Sequence, residues 1–222
     1  MNSTQIKYLM HHLKANGVSF DAGLTTEEVQ QVERTFNFRF PPDLRAFLQT
    51  ALPASKGFVP WRYGIGNTAV AHSILERMHC PVNKLVVDAR EGVFWLPQWG
   101  PLPVAKWERE TVARQYLADC PQLIPIYSHR YLPEMPCETG NPVFSVWGSD
   151  IVYYGYDLFS YFVQEFTLHN PPDSKFIQEF TLHNLPNSKV PTRPKHIAFW
   201  SDFDEPQDID TGGYWDGKDE SH

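Results

Sequence analysis

The segment YSHRYLP puts His129 and Arg130 directly after a run that reads as a β-strand, with the loop CETGNP beyond it. An imidazole titrates near neutral pH and can pass protons, so His129 is a candidate general base with Asp150 or Glu134 as its carboxylate. No GxSxG or comparable nucleophile motif accompanies it. The competing reading is structural: His129 and Arg130 satisfy carbonyls and carboxylates in a polar corner. Arg130 can there pair bidentately with a carboxylate inside the domain or across an interface.

Other candidate chemistry is thinner. His72 and His79 lie seven apart on one predicted helix beside Cys80, which separates the imidazoles by about 10 Å along the axis, too far to share one metal. No HExxH pair occurs, and His11 and His12 are adjacent and diverge on a helix, so no metal site is expected. The stretch GIGNTA lacks the lysine and the strand-to-helix frame of a phosphate cradle and reads as a turn. Neither a catalytic set nor a cofactor is expected.

The acidic end SDFDEPQDIDTGGYWDGKDESH reads in three ways. As a calcium loop it has a misplaced glycine and no glutamate at the twelfth position. As a nucleic-acid mimic, its carboxylates with Phe203, Tyr214 and Trp215 would fit the basic groove of a nuclease. As a solvated terminus it would need no partner. Residues 201–222 carry the whole formal charge of −7, so the rest of the chain is neutral and offers no excess of bases to a nucleic-acid backbone.

The elements that must position these groups follow from periodicity. Thr25 and Glu28 form a capping box for a helix from about Thr26 to Phe36, with Val29, Val32 and Phe36 on one face. Pro42 suits the first turn of a second helix striped by Leu44, Phe47, Leu48 and Leu52, so two short helices are expected to lead the domain. GFVPWRYGIG reads as a strand and turn, and VAHSILERMHC as a helix ending before Pro81. KLVVDAR, VFWLPQW, LIPIYS, PVFSVW and DIVYYG read as short strands, VAKWERETVARQYLADC as a surface helix, and YDLFSYFVQEF as a helix capped by Asp157. The class is α+β: one domain, a mixed and mostly antiparallel sheet flanked by helices.

The 222 residues suit one such domain, with 42% hydrophobic and 20% charged residues and no apolar run long enough to cross a membrane. Three scattered cysteines, Cys80, Cys120 and Cys137, fit neither a disulfide framework nor a CxxC zinc site. The N-terminal stretch lacks the features of a secretory signal, so a cytoplasmic location is expected.

The ordered set GLTTEEVQQVERTFNFRFPPDLRAFLQ, FVPWR, FWLPQWG, LIPIYSHRYLP, GNPVFSVWGSDIVYYGYDL and IAFWSDFDE resembles the Smi/Knr family of the SUKH superfamily, over about residues 23–167 and again from Lys195. The resemblance implies a SUKH-like sheet flanked by helices and a non-catalytic, protein-binding role. Bacterial members are immunity proteins that bind and silence a cognate toxin, often a nuclease; fungal members are regulatory scaffolds of cell-wall synthesis. The expectation is therefore an immunity protein, with a cytosolic scaffold and a small hydrolase using His129 as alternatives.

Because neighbours alternate across a strand, at least one of Tyr153 and Tyr154 should face away from the core unless helices cover both faces. The expected partner-binding residues are Trp61, Trp99, His129, Arg130, Tyr131, Tyr153, Tyr154, Asp202, Asp204 and Glu205, since aromatics and arginine dominate hot spots. The partner would be a toxin domain or an endogenous protein, not nucleic acid or membrane, and an uncovered aromatic sheet face would suit a homodimer. Finally, FVQEFTLHNPPDSK at 162–175 is followed by FIQEFTLHNLPNSK at 176–189, a duplication too short and too recent in aspect for a solenoid. It is expected to be an insertion in a domain of residues 1–205, followed by an acidic tail at 206–222.

Overall fold

A computed structural model of the chain describes residues 1–167 and 191–203. The chain starts with a helix that the sequence reading used for His11 and His12 but did not count among the leading elements. In α1 (Ser3–Ala15) the Asn2 side chain accepts from the Gln5 amide while the Gln5 side chain accepts from that of Asn2, and Ile6, Leu9 and Leu13 are buried. The expected pair of leading helices is thus second and third. After β1 (Phe20–Ala22), α2 (Thr26–Phe36) begins at the Thr25–Glu28 capping box and buries Val29, Val32 and Phe36. Each buried side chain is worth about 2 kcal/mol, and Val32→Asp would place a charge in their midst. Then α3 (Pro42–Thr50) starts on its proline and runs into β2 (Ala51–Pro53), which pairs antiparallel with β1.

The next stretch corrects the sequence reading. GFVPWRYGIG holds a one-turn helix, α4 (Trp61–Gly64), with only a single bridge from Phe58 to Tyr127 in place of a strand. The following helix, α5 (Thr68–Glu91), does not stop before Pro81 but continues through it for 24 residues, absorbing the KLVVDAR segment expected as a strand. VFWLPQW is not a strand either: it contains a 3-10 turn, Pro97–Trp99. A proline inside a helix deprives the carbonyl four residues back of its donor. Here that carbonyl, of Arg77, accepts from the Tyr131 hydroxyl at 3.3 Å, and the helix survives the break.

Beyond α6 (Lys106–Leu117) the chain forms an antiparallel meander: β3 (Leu123–Tyr127), β4 (Arg130–Pro133), β5 (Val143–Trp147) and β6 (Asp150–Gly155), adjacent in that order. Every strand pair among the described residues is antiparallel, in a two-stranded and a four-stranded sheet. Asp157 caps α7 (Leu158–Glu165), as expected. A last 3-10 turn, Trp200–Phe203, follows the span that is not described.

Alternation along the meander sends side chains into two cores. Ile124, Ile126 and Leu132 join α1, α2, α3 and α7 on one side. Leu123, Tyr131, Phe144, Val146 and Ile151 join Leu85, Val86 and Ala89 of α5, Ala113 and Leu117 of α6, and the returning Ile197 and Trp200 on the other. Both faces of the sheet are covered, so Tyr153 packs on the second core and Tyr154 on the first, each half-buried. The architecture is one α+β domain.

Candidate functional site

Two of the three meander turns lie at the same end of the sheet. Ser128–His129 join β3 to β4 and Gly148–Ser149 join β5 to β6, and the first residue of each loop has positive φ, 48° at Ser128 and 65° at Gly148. Two-residue hairpin loops favour positive φ because it matches the strand twist. The first tip is tied to β5, the Val146 amide donating to the His129 carbonyl at 3.1 Å.

Both tips rest on one face of α5, where residues 77, 84 and 88 recur at helical spacing. The Arg77 guanidinium donates to the Ser128 carbonyl at 2.8 Å and to the Gly57 carbonyl at 3.0 Å. The Asp88 carboxylate accepts from the Ser149 amide at 2.8 Å. It sits so close that a Cβ on Gly148 would lie 2.4 Å from its oxygen, which with the positive φ explains the glycine. Between these anchors the Lys84 ammonium stands 3.0 Å from the Trp147 ring centroid. Such a contact contributes about 0.5–1 kcal/mol at an exposed site.

Trp147 remains 64% exposed although one face carries Lys84 and the His129 ring meets it edge-on, centroids 6.0 Å apart. Lys84 has no carboxylate within ion-pair distance among the described residues. Beneath lies an open groove of about 520 Å³ lined chiefly by Arg77, Cys80, Ser128, His129, Tyr131 and Trp147. Burial holds the His129 imidazole below its ordinary pKa, the charges of Arg130 and Lys84 push the same way, and Asp150 opposes them. The ring is therefore neutral at pH 7, with Nδ1 3.1 Å from the Ser128 hydroxyl. Among the described residues no carboxylate hydrogen-bonds to it.

The structure brings together only part of the expected site. His129 and Tyr131 share the groove, Tyr131 as its buried floor. Arg130 points through the opposite sheet face, donating to Glu165 at 3.1 Å and to the Ser145 hydroxyl at 3.0 Å, with its guanidinium 3.6 Å from the Tyr154 ring centroid. It is a structural tie between the sheet and α7, as the alternative reading of that residue held. Trp61, read as a partner anchor, is instead enclosed by Phe36, Phe38 and Phe40 at 5.3–5.7 Å. Trp99, read likewise, is closed in by Phe94, Trp95 and Tyr116. Both indoles are consumed by aromatic packing that joins segments distant in sequence or folds a loop on itself, and are closed to a partner.

Tyr153 and Tyr154 are half-covered by the two cores, the alternative in which helices cover both faces of the sheet. Asp202 is exposed but pairs with His196 at 2.8 Å and accepts from the Phe199 amide. Asp204 and Glu205, the acidic tail at 206–222 and the repeat beyond Thr167 lie outside the described residues.

Sequence reasoning missed Trp147, Lys84 and Arg77 as site residues. For Trp147 a signal existed: WGSD between two apolar runs marks a two-residue turn that lifts its first residue to a hairpin tip. Elsewhere, a hollow of about 350 Å³ between α5, α6 and Trp200 holds Cys120, whose thiol burial pushes up to about 11, far from nucleophilic use. No group of three His, Cys, Asp or Glu side chains converges among the described residues. No helix among them is long and apolar enough to cross a membrane. Protein-family models, curated proteins and solved structures contain no match to this chain.

Proposed function

We propose that this chain is a non-catalytic protein-binding module of the cytoplasm that docks its partner on the hairpin-tip face, and that the partner is a toxin domain silenced by having its active site or substrate groove covered. One observation carries the reading: Trp147 is 64% exposed on a tip braced by Arg77, Lys84 and Asp88 of a single helix. A large aromatic group held in place by its neighbours binds at a lower ordering cost, which is the property of an interface anchor. The resemblance to the Smi/Knr family supplies the class of partner, and a nuclease is the leading member of that class. A regulatory scaffold would use the same face for an endogenous cytosolic protein.

The test is titration calorimetry against toxin domains encoded beside the gene. Wild type binds and inhibits, and Trp147→Ala binds at least about tenfold more weakly at an unchanged melting temperature. Failure to bind any such toxin defeats the immunity role, and full affinity in the variant defeats the site.

The 3.1 Å contact between the Ser128 hydroxyl and His129 Nδ1 favours a second reading, a small hydrolase with His129 as base. That reading requires a turnover activity which His129→Ala abolishes while the fold persists.

A further inference from the structure

Trp147 is shared by two groups that respond differently to acid. The Lys84 ammonium of α5 stands 3.0 Å from the indole centroid, and the His129 ring of the neighbouring tip meets the same indole at 74°, centroids 6.0 Å apart. Ammonium and imidazole are therefore closer to each other than one Debye length, about 10 Å at 0.1 M salt. Lysine keeps its charge throughout the neutral and acid range, whereas an imidazole gains one as pH falls through about 6.5 or below.

The surrounding charges leave that new charge without a close partner. On β4, Arg130 is positive but turned to Glu165 on the opposite face of the sheet. On β6, Asp150 favours the imidazolium by its charge, yet neither it nor any other carboxylate among the described residues comes within ion-pair distance of His129. On α5, Asp88 accepts from the Ser149 amide, Glu76 faces His72 at 3.4 Å, and Arg77 is held by two carbonyls. The Ser128 hydroxyl, 3.1 Å from Nδ1, can accept from a ring N–H but brings no charge. Protonation thus sets two cations at one indole whose hold on an exposed ammonium is weak. His129 is fixed in a two-residue loop, while the flexible lysine stem can carry its ammonium into water. Lys84 is the group that yields.

We propose that the hairpin-tip face carries an acid-operated switch: when His129 takes up a proton, Lys84 leaves the Trp147 ring and the indole loses the group that holds it. The effect on binding rests on the reading of Trp147 as the docking anchor, with the face set for its partner at neutral pH and loosened in acid.

NMR of the full chain labelled with 13C-lysine tests the switch with no partner present, since the ring current of an indole moves protons above its face upfield. At pH 7.5 the ε-methylene signal of Lys84, assigned by its loss in Lys84→Arg, lies upfield of the other lysines. As pH falls to 5.0 it joins them, in one step with a midpoint below about 6.5. His129→Gln, which cannot gain the charge, keeps the signal upfield throughout, and Trp147→Leu removes the upfield shift at every pH. A wild-type signal that is never upfield, that stays upfield at pH 5.0, or that moves equally in His129→Gln overturns the proposal. Failure of a toxin domain to bind leaves this result standing, and failure of the switch leaves the docking face to be judged by the affinity of Trp147→Ala.

Discussion

The Tyr131 hydroxyl and the main-chain oxygen of Arg77 stand 3.3 Å apart, although 54 residues separate them, and the contact supplies the hydrogen bond that Pro81 withholds. Burial and the neighbouring Cys80 push the Tyr131 hydroxyl up to about 12, so it remains a donor throughout the neutral range. Tyr131→Phe leaves a partly buried carbonyl without this donor and should cost about 1 kcal/mol in chemical denaturation. In a Pro81→Ala background the restored backbone amide takes over, and the same substitution should cost less than half as much. Equal costs in both backgrounds would mean that the two donors do not share one acceptor.

Arg130 and Glu165 form an ion pair whose side chains are 9% and 16% exposed. Removing one partner from such a pair strands the other, and Glu165→Ala should cost about 3 kcal/mol. Arg130→Met, which trades the charge for apolar volume, should cost less than Arg130→Ala. Urea midpoints of the three variants decide it.

Deleting residues 163–176 joins Phe162 to Ile177, so the chain continues I-Q-E-F-T where it had V-Q-E-F-T. Glu179 then stands where Glu165 meets Arg130, and Phe180 where Phe166 stacks on Phe58 with centroids 5.6 Å apart. Within α7 the one altered side chain adds a methylene, a change of about 1 kcal/mol, and the other two differences, Leu185 for Pro171 and Asn187 for Asp173, lie outside the described residues. The deletion variant should melt within a few degrees of wild type, and a large drop in a calorimetric scan would mean that both copies are integral.

The His12 imidazole is held below its ordinary pKa by burial, with His11 adding to the effect and a Val163 carbonyl opposing it, and its Nε2 is buried without a partner. His129 is shifted the same way. The unfolded chain therefore takes up protons first, near pH 6.5. Stability is complete above that value and declines as pH falls below it toward the folded-state pKa values. His12→Phe keeps the stacking on Tyr8, centroids 5.8 Å apart, and removes the titration, so its melting temperature should fall less between pH 7.5 and 5.5 than that of wild type.

Much of this molecule is legible locally. The capping boxes of α2 and α7, the proline start of α3 and the alternation of β5 and β6 lie within a few residues of sequence. The signal for α1 was local too, in Asn2, Gln5 and the spacing of Ile6, Leu9 and Leu13, and amid polar neighbours it was used only to set His11 and His12 apart. α5 was misread because Pro81 signals a stop and the donor that repairs it sits on β4. Trp61 and Trp99 read as anchors because nothing near Trp61 in sequence announces its cage of phenylalanines, and nothing marks Trp99 for stacking on Tyr116. The groove joins side chains from α5 and two hairpin tips, a pairing set by how the meander docks. Only the WGSD turn hinted at it.

Trp200 is wholly buried against the meander, its indole nitrogen donating to the Pro121 carbonyl at 2.6 Å, yet it belongs to the last stretch described. During synthesis the first core can therefore close on residues up to Phe166, while the second, although α5 and α6 already lie against Phe144, Val146 and Ile151, still lacks Ile197 and Trp200. A ribosome stalled before residue 197 would present a nascent chain with one core finished and the other short of its last indole, a gap in packing that chaperones can recognise.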